Sequence, residues 1–288
     1  SLQFMKELNE RFNGSLTEAI SIFTGKHSKK FLNQLVSSQL DMDRLDYLKR
    51  DSFYTGVAEG NTNAERLITM LNVVDGNLVI EEKGIYSVEK FLMARRFMYW
   101  QVYLHKTAVV AERLLISILK RARSLIEKGE TLVCSQALDY FLTHHIDINN
   151  FDSDTLEKFA KLDDVDILAA LKEWQNSSDF VLSALCEMII HRKLLHIKVK
   201  KDPISDSKFL IQQNKVKKRY NLTDEEASYF VFKGELKNKA YDREHQTINI
   251  LRKNGKITDV AKLSDHLNLN ALSKTVTKYY MCYPKEGV

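Results

Sequence analysis

The stretch SSQLDMDRLDYLKRDSFYTG, residues 37–56, combines helical spacing with a high density of charge. Leu40, Leu45 and Leu48 recur at the spacing of one helical face, which predicts an amphipathic helix. Four aspartates, two arginines and a lysine surround them. Two structures fit this pattern: a charged helix on the protein surface, or a helix whose polar face lines a site for metal and phosphate.

The polar residues of this stretch fall into two neighbouring stripes at 100° per residue. One face carries Asp43, Asp46, Tyr47 and Arg50, and the adjacent stripe carries Arg44 and Asp51. Carboxylates bind divalent cations, guanidinium groups bind phosphate in a bidentate manner, and a ring packs on a nucleoside. The alternative is ion pairing along a surface helix, Asp43 with Arg44 and Asp46 with Arg50 included. Composition alone favours this alternative.

A second stretch, FLMARRFMYWQVYLHK at residues 91–106, also carries a mixed face. Its members are Arg95, Tyr99, Val102, Tyr103 and Lys106. Two cations that bracket two tyrosines suit an aromatic-lined pocket for a phosphorylated nucleoside. The alternative is that the aromatic side chains are core and the cations extend past them to solvent. His105 fits a ligand or a base, although a lone helical histidine is more often structural.

Composition limits the classes of protein that this chain can represent. Its 288 residues include 44% hydrophobic residues and only 2 prolines and 10 glycines, which favours a mostly helical protein with a real core. The net charge of +5 is spread along the chain and suits an anionic small molecule as well as nucleic acid. The chain has three cysteines and no C-x-x-C motif, which predicts a reducing compartment such as the cytoplasm. It has no apolar stretch long enough to predict a membrane span.

The order of the patterns predicts the organisation of the chain. Asp75-Gly76 between apolar runs predicts a β-hairpin at about residues 71–86. We expect a helix from an N-cap at Ser87 to Gly129, with a bend near residues 105–110. Helical segments, several of them preceded by Asp or Ser as N-caps, continue to about residue 198. Shorter mixed segments at residues 199–288 predict a small α+β region after a mostly α domain at residues 1–198.

The two quoted stretches together resemble the HD-domain phosphohydrolases, in the branch related to the deoxynucleotide triphosphohydrolases. The family pattern D-x-D-[RK]-x-D-Y-x-x-R-D, followed by a loop with glycine, is complete at residues 41–51. The resemblance covers about residues 1–200 and includes EMIIHRKLLHIKV, residues 187–199. It implies that residues 1–198 are the C-terminal portion of an HD-domain-like helical bundle.

The resemblance also implies roles for individual residues. Asp43 matches a metal ligand. The residues that match contacts to substrate phosphate are Arg44, Arg95 and Lys106. The residues that match contacts to the sugar or base are Tyr47, Asp51 and Tyr103, with His105 and Arg50 as accessory candidates. The implied activity is metal-dependent hydrolysis of a nucleotide, with a deoxynucleoside triphosphate favoured and Mn, Mg, Fe, Ni or Zn as the cofactor.

The chain departs from the family at the metal site. The family's H…HD signature precedes the aspartate matched by Asp43, but His27 is the only histidine before it and no His-Asp dipeptide occurs. Three of four metal ligands and the expected catalytic histidine upstream are therefore absent. We expect either a piece of a longer enzyme, which the start of the chain inside a helix favours, or a nucleotide- or protein-binding module that has lost the HD half.

These departures lead to three further expectations. The chain by itself is predicted to be inactive and to hold no complete metal site. Apolar surface is expected on the first helices, where a homodimer would cover it. The basic stretch NKVKKRYNL at residues 214–222 fits a nucleic-acid contact, but a solvated charge run is favoured.

Overall fold

The computed structural model describes residues 1–242, 246–264 and 272–285. These residues form two units. The first unit contains Ser1–His105 and the described residues from Lys237 to Thr277. The second contains Lys106–Leu236 and the described residues from Lys278 onward. Each unit takes residues from both sides of position 198, and the predicted domain boundary there stays a prediction.

Helices account for most of the described structure. They are α1 Leu2–Arg11, α2 Thr17–Phe23, α3 Lys30–Val36, α4 Met42–Thr55, α5 Ala64–Thr69, α6 Ile85–Met98, α7 Lys106–Glu127, α8 Gln136–Thr143, α9 Ser153–Lys161, α10 Asp164–Trp174, α11 Phe180–Ile190, α12 Asp206–Tyr220, α13 Asp224–Ser228 and α14 Val260–Leu263. The strands are β1 Leu71–Val74, β2 Asn77–Glu81, β3 His196–Lys200, β4 Phe232–Asn238, β5 Asn249–Leu251, β6 Ile257–Asp259 and β7 Val276–Tyr283. The predicted mostly α fold with a small hairpin and a C-terminal α+β region is confirmed.

The predicted hairpin is present in the first unit. β1 and β2 pair antiparallel, and Asp75 and Gly76 between them both have positive φ, 49° and 73°. Positive φ at both turn positions belongs to the type I′ turn, whose twist matches that of the strands. β2 also pairs parallel with β5, which pairs antiparallel with β6. The hairpin is therefore half of a four-stranded sheet of order β1-β2-β5-β6.

The long helix predicted from Ser87 begins earlier and is interrupted. α6 starts at Ile85, so the predicted N-cap at Ser87 is wrong, and Gly84 occupies the capping position without a side chain. A π-helical segment follows at Tyr99–Tyr103, in which the Leu104 amide donates to the Tyr99 carbonyl at 2.7 Å. α7 begins only at Lys106. The interruption lies a few residues before the predicted bend, because the hydrogen-bond ladder already widens at Tyr99.

The leucines of the opening stretch belong to the core of the first unit. Leu40, Leu45 and Leu48 are buried together with Phe91 and Met98 of α6. This packing fixes which side of α4 faces the interior, because residues three and four apart share a helical face. The polar side of α4 is left for the candidate site.

The second unit has a core between α7 and α11, which pack against each other. Its helices begin where the sequence offers short polar side chains, as predicted. The caps that accept a hydrogen bond from the first turn of α8, α9, α10 and α11 are Ser135, Asp152, Asp163 and Asp179. Three strands form a second sheet, in the order β3-β7-β4.

Large apolar side chains are exposed on the first helices, as the sequence led us to expect. Leu8, Phe12 and Phe23 are 40%, 60% and 41% exposed. No residue of α1 is buried. Across the described parts of the chain, no helix combines the length and the apolar composition that crossing a bilayer would require.

Candidate functional site

The N-terminus of α4 is held by Asp41, which is buried. Its Oδ1 accepts a hydrogen bond from the Arg44 amide at 2.8 Å, and its Oδ2 accepts one from the Ser38 amide at 3.2 Å. The Arg44 guanidinium forms an ion pair with the same carboxylate and donates to the Ser38 carbonyl. The predicted pairing of Asp43 with Arg44 is therefore wrong. Arg44 turns back to the capping aspartate, where negative charge also stabilises the helix N-terminus.

The exposed side of α4 carries the second predicted pair. Arg50 and Asp46 lie 2.9 Å apart and are both more than half exposed. This contact confirms the surface ion pairing expected from composition, and such exposed pairs stabilise a helix by only about 0.3–0.5 kcal/mol. Asp43 lies in the first turn of the same helix and is exposed. Arg50 is thus engaged in a surface contact, and its accessory role stays a prediction.

A tyrosine cluster joins α4 to the π-helical segment. The Tyr103 hydroxyl donates a hydrogen bond to Asp51 Oδ2 at 2.6 Å. The Tyr103 ring meets Tyr47 edge-on at 6.1 Å between centroids and Tyr99 at 5.2 Å. The structure therefore brings together the three residues predicted for the sugar or base of a nucleotide. Tyr99 joins them because it begins the π-helical segment that ends with Tyr103.

Arg95 lies beside this cluster and is held by residues distant in sequence. Its Nη1 donates to Gln39 Oε1 at 3.1 Å, and Gln39 in turn donates to the Asp242 carbonyl at 2.9 Å. The guanidinium lies 5.9 Å from the centroid of the Tyr99 ring. Its buried Nε has no acceptor among the described residues. Gln39 was missed by the sequence analysis, although it stands in the quoted stretch two residues before the cap of α4.

Burial and neighbouring charge raise the pKa of two of these tyrosines. For Tyr103 the largest cause is burial, followed by the hydrogen bond to Asp51, whose negative charge opposes ionisation of the phenol. For Tyr47 burial again raises the pKa, as does Tyr99, while Arg95 and Arg44 act in the opposite direction. Both phenols therefore stay protonated, and Tyr103 remains a hydrogen-bond donor to Asp51 throughout the neutral range.

Replacing Tyr103 with phenylalanine is expected to lower the free energy of unfolding by about 1–3 kcal/mol. The reason is that the Asp51 carboxylate, a charged acceptor, loses the hydrogen bond from the Tyr103 hydroxyl. The matched control is Tyr99→Phe, since no hydrogen bond of the Tyr99 hydroxyl occurs in the described structure. Urea denaturation of both variants measures the difference. Equal losses in the two variants would contradict the assignment.

The same pair predicts a dependence on pH. Because the folded-state pKa of Tyr103 is raised above its ordinary value of 10.0, its contribution to stability is complete below pH 10 and is lost as the pH rises further. The gap in stability between the wild-type protein and Tyr103→Phe should therefore narrow above pH 10. A gap that stays constant to pH 11.5, roughly one to two units above the ordinary pKa, would contradict this linkage.

The two remaining predicted residues are neighbours in sequence. His105 is exposed at the end of the first unit, and Lys106 is exposed at the start of α7 in the second. Their roles toward a substrate stay predictions.

The family's metal does not fit the residues that are present. Among the residues that the structure describes, no three His, Cys, Asp or Glu side chains gather in a group able to hold a metal ion. A divalent cation needs several protein ligands at fixed geometry, and Asp43 supplies one. The assignment of Asp43 as a metal ligand stays a prediction.

Comparison with known proteins identifies the class to which this fold belongs. A family described as "HD associated region" matches residues 62–140. The crystal structure of a phosphohydrolase from Bacteroides thetaiotaomicron is similar over 99% of this chain and 71% of that chain, with a TM-score of 0.94 and 48% sequence identity. The fold is that of this phosphohydrolase, and the chain belongs to the HD superfamily.

Two curated proteins extend the comparison. The YwfO protein of Bacillus subtilis is 30% identical over 292 residues, which cover 99% of this chain and 64% of YwfO. The chain thus spans just under two thirds of the length of this relative. A Dictyostelium discoideum homologue of the deoxynucleoside triphosphate triphosphohydrolase SAMHD1 is 27% identical over 118 residues, which cover 39% of this chain and 23% of that protein. Members of the superfamily generally use divalent metals.

Proposed function

We propose that the chain is the nucleotide-binding part of a metal-dependent HD phosphohydrolase that acts on a deoxynucleoside triphosphate. The observation that carries this proposal is the hydrogen-bonded pair of Tyr103 and Asp51, with the Tyr47 ring against Tyr103, beside Arg95. An aromatic wall with one anchored carboxylate suits a sugar and base, and an adjacent guanidinium suits phosphate. The similarity to a triphosphohydrolase homologue favours the triphosphate over other nucleotides.

Each residue has a role in this proposal. Arg95 and Arg44 contact the phosphates, and Lys106 joins them. Asp51 accepts a hydrogen bond from the sugar, while Tyr47 and Tyr103 pack against the sugar and base. Arg44 is already paired with Asp41, so its charge is partly neutralised and its contribution to phosphate binding is smaller than that of Arg95.

The proposal includes inactivity of the chain by itself. Asp43 would be one ligand of a Mn, Mg, Fe, Ni or Zn centre whose remaining ligands come from an H…HD segment that these 288 residues do not contain. We also propose that the enzyme is cytoplasmic and dimeric. Phe12 in α1 is 60% exposed, and Phe53 and Tyr54 in α4 are 80% and 79% exposed. These side chains supply apolar surface that a second copy would cover.

A binding and turnover assay on the chain tests this function. With Mn²⁺ and each of the four deoxynucleoside triphosphates, we expect no hydrolysis above the buffer control. Calorimetry should detect binding of dATP, and Arg95→Ala should weaken it about 10- to 100-fold because charged hydrogen bonds to phosphate are lost. Arg96→Ala is the matched control, since it removes the same charge from a side chain 100° around α6.

Three outcomes of this assay contradict parts of the proposal. Turnover by the purified chain would refute its predicted inactivity. Undetectable binding of all four nucleotides would refute the nucleotide site. Equal weakening in Arg95→Ala and Arg96→Ala would show a general effect of charge.

A non-catalytic binding module is the second candidate function. The observation that favours it is that the described residues around Asp43 do not form a group of metal ligands. Both candidates predict nucleotide binding, and they differ in whether an added H…HD segment restores hydrolysis.

The described geometry gives little support to nucleic-acid binding through residues 214–222. Lys217 forms an ion pair with Asp224 at 2.8 Å, and Arg219 donates to the Lys285 carbonyl at 3.0 Å while lying over Tyr220. Val216 is buried. Half of the cations in this basic stretch are thus engaged within the protein.

A further inference from the structure

A groove in the second unit lies outside the candidate nucleotide site. It encloses a cavity of about 270 Å³. One wall is the outer face of β3 and β7, and the other is the first turns of α12 with the loop before it. Its lining residues are Lys198, Lys200, Ile204, Lys208, Met281 and Tyr283, among others. A cavity of this volume can hold a small molecule of about the size of a nucleotide.

Strand geometry places two of these lysines side by side. In β3 the burial alternates, with Lys198 and Lys200 exposed and Val199 turned toward the protein. Successive side chains of a strand point to opposite faces, so both lysines project from one face. On the paired strand Met281 lies opposite Lys198. Met281 is only 6% exposed and provides an apolar floor between the cations.

The charge in the groove is uncompensated. Within the described residues, the side chains of Lys198, Lys200 and Lys208 form no ion pair or hydrogen bond. No aspartate or glutamate is among the lining residues. The nearby Asp206 is bound to Lys233 at 2.5 Å and is not available to them. Three like charges around one cavity repel each other, and an anion placed among them relieves this repulsion.

Apolar and aromatic surface adjoins the cations. Tyr283 lines the groove and is half-buried. Ile211 of α12 is 58% exposed although it also faces the cavity. A ligand that bears phosphate at one end and a planar or apolar body at the other would use both surfaces, since aromatic rings supply large contact area.

The geometry points to a second binding site in this groove, for a phosphorylated small molecule whose phosphates contact Lys198, Lys200 and Lys208 and whose planar body packs on Tyr283 and Met281. This site is independent of the proposed nucleotide site, because none of its residues belongs to that cluster.

Protection from acetylation tests the site with residue resolution. The protein is treated with an amine-acetylating reagent in the presence of inorganic triphosphate or ATP, and each lysine is followed by mass spectrometry. At a probe concentration ten times Kd, acetylation of the three groove lysines should slow by about tenfold, because ~90% of the groove is occupied. The exposed Lys172, Lys215 and Lys218 are the internal references and should react at unchanged rates.

A matched pair of triple variants provides the second measurement. Lys198→Gln, Lys200→Gln and Lys208→Gln together should weaken triphosphate binding at least about tenfold, since three charge-assisted contacts are lost. The control combines Lys172→Gln, Lys215→Gln and Lys218→Gln, which remove the same charge elsewhere in the unit and should leave this affinity unchanged. Circular dichroism of both variants checks that each is folded.

The outcomes separate the parts of the inference. Tighter protection by ATP than by triphosphate supports a planar body on Tyr283, and equal affinities overturn that part. Equal protection of all six lysines, or equal loss of binding in both triple variants, overturns the site. No protection by either probe up to millimolar concentrations also overturns it.

Discussion

Replacing Arg121 with alanine is expected to lower the free energy of unfolding of the second unit by about 3–5 kcal/mol, because it leaves Asp179 as a buried carboxylate without its partner. Arg121 Nε and Nη2 donate to the two oxygens of Asp179 at 3.0 and 2.5 Å. Their side chains are only 6% and 13% exposed. The guanidinium also lies 5.5 Å from the Tyr229 ring centroid, so the variant loses packing as well.

Fluorescence gives a direct measurement of this loss. The sequence has 2 tryptophans, and Trp174 is the one in the second unit. Urea denaturation followed by Trp174 emission, in a Trp100→Phe background, therefore reports on the second unit. The matched control is Lys161→Ala, which breaks the pair with Glu157 at 2.8 Å and should lower the stability far less, because exposed ion pairs contribute little. A similar loss in both variants would contradict the prediction.

At acidic pH, the difference in stability between the wild-type protein and Arg121→Ala should become smaller. Burial by itself raises the pKa of Asp179, but the hydrogen bonds from Arg121 and from the Leu182 amide outweigh it, so the pKa is lowered. The stability from Asp179 is therefore complete above its ordinary pKa of 3.8 and is lost as the pH falls through the lower folded-state value. The difference in free energy of unfolding between wild type and Arg121→Ala, measured by urea denaturation, should therefore decrease below pH 3.8.

Replacing Asp43 with alanine in a protein that contains the missing HD segment is expected to reduce hydrolysis of a deoxynucleoside triphosphate by about 10³-fold or more, which corresponds to ~4 kcal/mol in the barrier. The segment can be taken from the Bacteroides thetaiotaomicron phosphohydrolase, of which this chain covers 71%. The fusion requires that the segment joined ahead of Ser1 carries the H…HD residues of the superfamily pattern, which its sequence shows before the fusion is made.

Metal content provides a readout that does not depend on activity. The fusion with Asp43 should bind a divalent metal, measured by plasma mass spectrometry after dialysis, and Asp43→Ala should bind at least about tenfold less. Asp46→Ala is the control, because Asp46 stands on the same helix and only pairs with Arg50 at its surface. Unchanged metal content in Asp43→Ala would contradict its assignment. A folded fusion without turnover would favour the binding module.

Local sequence patterns were sufficient for most of the fold. The Asp75-Gly76 turn and the aspartate caps depend on interactions between residues close in sequence, and the leucines of α4 follow the local period of one helical face. Each is found as predicted. Ser87 failed as a helix cap because the chain already turns into α6 at Ile85, where Gly84 occupies the capping position. The local sequence around Ser87 looks the same whether the helix begins at Ser87 or two residues before it.

The candidate site was predicted residue by residue, but its contacts were not. The family pattern marked Tyr47, Asp51, Arg95 and Tyr103 as residues of one site. It did not show that Arg95 would be held by Gln39, 56 residues earlier, or that Tyr103 would donate to Asp51, 52 residues earlier. Such contacts depend on how α4 and α6 pack, which the spacing within either helix does not contain.

Sequence alone thus determined the helices, the hairpin and the membership of this chain in the HD superfamily, because each leaves a pattern within a short window. Only the tertiary structure decided which partners the charged residues take. Arg44 pairs with the capping Asp41 and not with Asp43, and Lys198, Lys200 and Lys208 meet in one groove. The physical reason is that charge acts through space, and the distance between two side chains is set by packing of elements far apart in the chain.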